Sequence, residues 1–96
     1  MNTYTSIQLT NEKQEKLTLT YGKLYKLQQK EKDLVERFLQ IEEQDKVNEL
    51  EMAFVIYVAF RCANDVKTSF EEFADMIPPN RSYLIEKYTE LVFPKN

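Results

Sequence analysis

The spacing of apolar and polar residues changes along the chain, and the first spacing is typical of strands. Residues 6–10 and 16–21 alternate apolar with polar side chains, and a charged linker, NEKQE, separates them. Alternation with period two indicates a strand with one buried face. An isolated hairpin is marginally stable at best. These residues therefore predict either a short hairpin or a flexible arm that pairs only with a partner.

From about Gly22 the spacing becomes helical. Charged residues at 30–33 interrupt the apolar stripe, so we expect two helices, at about 22–30 and 32–43. The residues of the stripe recur at intervals of three, seven, four and three: Leu24, Leu27, Leu34, Phe38 and Ile41.

A continuous run of apolar residues, MAFVIYVAF at 52–60, lies within a third predicted helix at about 46–63. A surface helix needs an apolar stripe only about 100° wide, whereas this run is apolar on all sides. It is much shorter than the roughly 20 residues that cross a bilayer. We therefore expect the run to have more apolar surface than one small core can cover. The surplus would be buried against a second copy or another apolar chain.

Capping signals and a pair of prolines predict two more helices. An S/T-x-x-E capping box, either Thr68–Glu71 or Ser69–Glu72, opens a short helix. The prolines at 78–79 end this helix. Asn80 is then placed to cap a last helix at 81–92.

These elements predict a mainly α fold, a small bundle of four to five helices. With 96 residues, one glycine and three prolines, the chain has the length of one domain and little material for turns. We expect a single domain over 1–96, with an N-terminal arm or hairpin at 1–21 and a helical core at 22–93.

Residues suited to catalysis are scarce. The chain has no histidine and only one glycine, which removes the commonest general base and any glycine-rich phosphate loop. Cys62 has no second thiol to pair with and is expected to be a small buried hydrophobe. We therefore expect no enzyme activity, no catalytic residue, no cofactor and no metal site.

Charge and terminal composition argue against nucleic acid and membranes as partners. The net charge is −3, and the lysines of residues 11–32 are interleaved with glutamates, unlike the basic face of a nucleic-acid-binding protein. No stretch at the N-terminus has the features of a secretory signal. We expect a cytoplasmic protein that binds neither nucleic acid nor a membrane.

Aromatic residues give the chain its candidate binding surface. Twelve of the 96 residues are Tyr or Phe, and they form either a Phe-rich core with tyrosine hydroxyls at its edge or a groove that grips an apolar partner helix. We predict this groove between the central helix and the last two. The candidate residues for partner binding or self-association are Phe54, Val55, Tyr57, Val58, Phe60, Phe70, Phe73, Ile77, Leu84 and Tyr88.

Several motifs resemble a known family. The start GKLYKLQQKEKDLVERF, the element AFRCAND and the segment SFEEF before the proline break are similar to those of the small tail assembly chaperones of long-tailed bacteriophages that infect Gram-positive hosts. The resemblance covers residues 17–92. It implies a helical, self-associating protein without enzyme activity. In the host cytoplasm it would coat the tape measure protein, a long apolar helical chain, until the tail tube assembles.

Two other classes stay open at this point. A small structural tail or connector subunit would be retained in the virion, whereas a chaperone would be absent from it. A helical regulator of a host protein or DNA would be expected to have a compact basic recognition helix. Residues 81–92, with only Arg81 and Lys87 as basic side chains, do not match that expectation.

Overall fold

A β-hairpin precedes five α-helices in the computed structural model, which describes residues 2–93, with side chains from Tyr4 onward. Residues 1 and 94–96 of the predicted domain lie outside this range. The mainly α prediction is confirmed. The elements are β1 (Asn2–Gln8), β2 (Gln14–Thr20), α1 (Tyr21–Lys30), α2 (Lys32–Glu42), α3 (Glu49–Ala63), α4 (Phe70–Met76) and α5 (Arg81–Val92).

The N-terminal segment forms the hairpin and not a flexible arm. β1 and β2 pair antiparallel, with Ile7 opposite Glu15. Since residues opposite each other share a face, this register puts the four apolar side chains on one side of the hairpin. All four are buried against the helices: Ile7, Leu9, Leu17 and Leu19.

Hydrogen bonds also fasten the hairpin to the C-terminal helices. The backbone N–H of Gln8 donates to the Tyr83 hydroxyl at 2.8 Å. The backbone N–H of Thr10 donates to the Met76 carbonyl at 2.8 Å. The hairpin is therefore part of the domain core, although it is 60 or more residues from these partners in sequence.

Side-chain caps fix the starts of the last three helices. α3 begins at Glu49, later than predicted, because Asn48 and Glu51 form a capping box there. Of the two alternatives for α4, Ser69 with Glu72 forms the capping box. Asn80 caps α5 as predicted, accepting a hydrogen bond from the backbone N–H of Tyr83.

α3 lies at the centre of the fold, and most of its apolar run is covered. β2 and α5 make its most extensive contacts, and α1, α2 and α4 also pack against it. None of residues 55–60 exposes more than 4% of its surface. The expectation that one small core cannot cover the run is therefore wrong for residues 55–60, whereas Met52 and Phe54 stay partly exposed. The hairpin supplies much of the cover, because it packs a second apolar layer onto α3.

Candidate functional site

Most of the predicted aromatic groove is a core cluster. The Phe60 and Phe73 rings stack with centroids 4.6 Å apart, and the Phe54 and Phe70 rings meet edge to face at 5.3 Å. The Tyr57 hydroxyl donates to the Thr68 carbonyl at 2.7 Å. Edge-to-face and stacked pairs of this kind stabilise a core, and the tyrosine hydroxyl finds its partner at the core edge.

The candidate residues from the sequence divide by burial. Three of the ten are partly exposed, and the other seven expose at most 9% of their surface. Partly exposed are Phe54, Phe70 and Ile77. Buried are Val55, Tyr57, Val58, Phe60, Phe73, Leu84 and Tyr88.

A cleft does lie between the central helix and the last two, but at the N-terminal end of α3. This proline cleft has a volume of about 420 Å³ and is lined by Glu49, Leu50, Ala53, Ala74, Ile77, Pro78, Pro79, Asn80, Arg81 and Leu84. Leu50 is 74% exposed, and an Arg81–Glu49 ion pair at 2.8 Å lies at the rim. Of the predicted residues, the cleft includes Ile77 and Leu84.

A second apolar cleft, here named the tyrosine groove, lies between α1 and α2 and has a volume of about 350 Å³. Leu24, Val35 and Phe38 are its buried residues, whereas Tyr21 and Tyr25 are 72% and 64% exposed. The groove is lined by Tyr21, Leu24, Tyr25, Gln28, Val35, Phe38, Leu39 and Glu42.

Both helices contribute to the tyrosine groove with the same spacing. On each helix the lining residues fall at positions i, i+3, i+4 and i+7, which is one continuous helical face. Leu39 is 46% exposed on the α2 side. Partial burial raises the pKa of the Glu42 carboxyl above its usual value. The groove is thus an apolar face of two helices that no element among residues 2–93 covers.

Sequence reasoning missed this groove although its signal was present. The helical stripe was assigned through Leu24 and Phe38, and these residues do lie in the core. The exposed groove residues are close to this stripe in sequence. Tyr21 comes three residues before Leu24, Tyr25 directly follows Leu24, and Leu39 directly follows Phe38. A second, partly polar stripe beside a core stripe widens the apolar face beyond what the core uses.

A third cleft of about 290 Å³ lies between α1 and the C-terminal end of α3 and is lined in part by Lys23, Lys26 and Lys30. Cations near a helix C-terminus are favourable, so these lysines have a structural explanation. Cys62 also lines this cleft. Burial raises the pKa of the Cys62 thiol to about 11, so it is protonated at neutral pH, in keeping with its prediction as a buried hydrophobe.

Within the part of the chain that the structure describes, no group of three His, Cys, Asp or Glu side chains is placed to hold a metal ion. No helix of residues 2–93 has the length and apolar character that a membrane span requires.

Comparison with known proteins gives no match to a protein-family model, to a curated protein or to a solved structure.

Proposed function

We propose that this protein binds the apolar face of a partner helix in the tyrosine groove and acts as a chaperone that keeps a long apolar helical chain soluble. The observation that carries the proposal is the uncovered pair of helical faces, with Tyr21, Tyr25 and Leu39 exposed above buried apolar residues. An apolar helix laid in a groove is a common mode of recognition. The motif resemblance to phage tail assembly chaperones suggests the tape measure protein as that chain, in the host cytoplasm.

The chemistry of the groove suits a partner with an apolar stripe and little sequence specificity. Tyrosine combines a large apolar ring with a polar tip, which is why it is frequent at binding hot spots. Gln28 and Glu42 are the polar residues of the lining. With few polar groups to be matched, many apolar helical segments satisfy the groove.

A chaperone that coats a long chain also needs many copies and weak individual contacts. Repeated weak sites on one chain gain strength from their effective concentration, and weak single contacts permit displacement by the tube subunits. Residues 55–60 of the apolar run no longer support self-association, because they are buried. The support that remains is Leu50 beside the proline cleft, which we propose as the contact between copies.

Coexpression with the long helical partner tests the groove. We expect Tyr25→Asp and Leu39→Asp to leave the fold intact, because both side chains are exposed, and to lower the amount of soluble partner several-fold. Tyr4→Asp is the matched control for Tyr25→Asp, since Tyr4 is about as exposed as Tyr25 but lies on the hairpin. Unchanged partner solubility in both groove variants would disprove the groove proposal.

Sedimentation of the isolated protein tests the contact between copies. Leu50→Asp should shift the distribution toward the monomer, and Tyr4→Asp should not. A strict monomer at high concentration before any substitution would contradict self-association.

The alternative, a small structural tail or connector subunit, makes a different prediction about location. Such a subunit would be found in purified particles in fixed proportion to the other tail proteins. A chaperone is expected to be absent from them, so mass spectrometry of purified particles separates the two functions.

A further inference from the structure

The break between α1 and α2 occurs without a helix-breaking residue in the sequence. A single residue, Glu31, separates the two helices, with φ −140° and ψ 76°. Sharp helix breaks usually occur at proline, glycine or an inserted side chain, and residues 28–34 (QQKEKDL) contain neither proline nor glycine. Gln, Lys, Glu and Leu favour helix. Local propensity alone would continue the helix through this position.

The carboxylate of the break residue is bound by an arginine from the central helix. Arg61 donates from Nη2 to the Glu31 carboxylate, and its side chain is only 8% exposed. Its Nη1 donates to the Tyr57 hydroxyl at 2.7 Å. One buried guanidinium thus joins the α1–α2 break to α3, and Tyr57 continues the connection to the segment before α4 through the Thr68 carbonyl.

The Glu31 side chain contacts α3 and not the first turn of α2. Glu31 is the N-cap residue of α2, yet its side chain makes no capping hydrogen bond there. The backbone N–H of Val35 reaches the Glu31 carbonyl at a long 3.5 Å. The first turn of α2 is therefore weakly closed, and the Arg61–Glu31 ion pair is the side-chain contact that holds residue 31 to α3.

We propose that Arg61 is a positioning residue for the tyrosine groove: its ion pair with Glu31 holds the break between α1 and α2 and so sets the width of the groove. This role rests on the proposed function only in taking the groove to be the binding site for the partner. The buried residues of each helix anchor the two arms separately, Leu24 and Leu27 on α1 and Val35, Phe38 and Ile41 on α2. The ion pair anchors the junction between them.

Distance measurements on the isolated protein test this directly, with no partner needed. Spin labels are attached at Lys26→Cys and Gln40→Cys, two exposed sites outside the groove lining, on a Cys62→Ala background. We expect one narrow distance distribution in this parent. Glu31→Gln and Arg61→Met should broaden it toward longer distances, because released helices tend to align into one.

The control variant removes a neighbouring ion pair that is exposed to solvent. Lys30 and Asp65 also link the end of α1 to the end of α3, at 3.6 Å, but both side chains are largely exposed. Asp65→Asn should leave the distance distribution unchanged, since exposed pairs of this kind contribute little.

The outcomes separate this inference from the proposed function. If Arg61→Met fails to fold, as judged by circular dichroism, Glu31→Gln alone decides. A distribution in Glu31→Gln as narrow as in the parent would overturn the positioning role. A broadened distribution with unchanged partner solubility would support the positioning role and count against the groove as the binding site.

Discussion

The centre of α3 and the tyrosine groove are both rich in apolar side chains, yet only the groove leaves them uncovered. Residues 55–60 are fully packed between the hairpin and the other helices, whereas Tyr21 and Tyr25 remain mostly exposed. A run that is apolar on every side is a sign of burial on every side. The surface available for binding is formed by amphipathic residues beside a core stripe.

The largest expected difference between the two regions is in stability. Phe73→Ala should lower the free energy of unfolding by about 3–5 kcal/mol, because a fully buried ring leaves a cavity. Tyr25→Ala should change it by less than about 0.5 kcal/mol, since the side chain is exposed. Urea unfolding of the two variants checks this. Similar losses in both would show that Tyr25 belongs to the core.

The hairpin provides the next contrast, because it is the cover that distinguishes α3 from the groove. Leu17, on the helix-facing side of β2, is fully buried, and Leu17→Ala should lower the free energy of unfolding by about 2–5 kcal/mol. Gln14→Ala, at an exposed position of the same strand, is the control. A negligible effect of Leu17→Ala on the unfolding midpoint in urea would mean that the hairpin is a loose arm and that α3 is open to partners.

A substitution within α1 can raise the stability of the protein without changing any residue that lines the tyrosine groove. Gly22 lies in the first turn of α1, and a methyl group added there meets no atom within 4 Å. Gly22→Ala should therefore stabilise the protein by about 0.5–1 kcal/mol. Thermal unfolding measures the gain, and partner solubility should stay at the parent level. Loss of partner solubility would place Gly22 in the contact.

Acid should weaken the hairpin contact while leaving the groove lining in place. The pKa of the Glu90 carboxyl lies below its usual value because Thr5 donates a hydrogen bond to it, at 2.6 Å, and Lys87 lies nearby. A lowered carboxyl pKa contributes stability above the unfolded-state value, near 4.5. That contribution is lost as the pH falls through the lower folded-state value.

Glu90→Gln should remove part of this acid sensitivity, about 0.5 kcal/mol after allowing for its partial exposure. Urea unfolding between about pH 6 and pH 3 measures it. Some acid sensitivity should remain in the variant, because the pKa of the Glu51 carboxyl is also lowered. The main cause is its hydrogen bond with the Asn48 backbone. An unchanged pH profile would indicate that Thr5 and Glu90 do not interact in solution.

Local signals predicted the elements well, because alternation, capping boxes and prolines act over a few residues. Asn80 and the prolines at 78–79 predicted that α4 and α5 are separate helices. The charged residues 30–33 predicted that α1 and α2 are separate. The reason for that second division, the contact from Arg61 to Glu31, spans 30 residues and was not visible in the local pattern.

The location of the groove depended on contacts that no local pattern contains. The hairpin covers α3 only because its apolar face packs onto a helix that begins 29 residues after β2 ends. This packing buries residues 55–60, which the sequence had predicted to have surplus surface. Tyr25 and Leu39 belong to helices that were predicted correctly, but which of their faces stays uncovered follows from how the helices pack.

Amide hydrogen exchange of the protein, alone and in complex with its coexpressed partner chain, tests the central claim most directly. The claim is that the partner contacts the face formed by α1 and α2 and that the apolar centre of α3 serves the fold. The account predicts that the partner slows exchange within residues 21–42 and leaves residues 52–60 as protected as before. Slower exchange within 52–60 that is absent from 21–42 would contradict it.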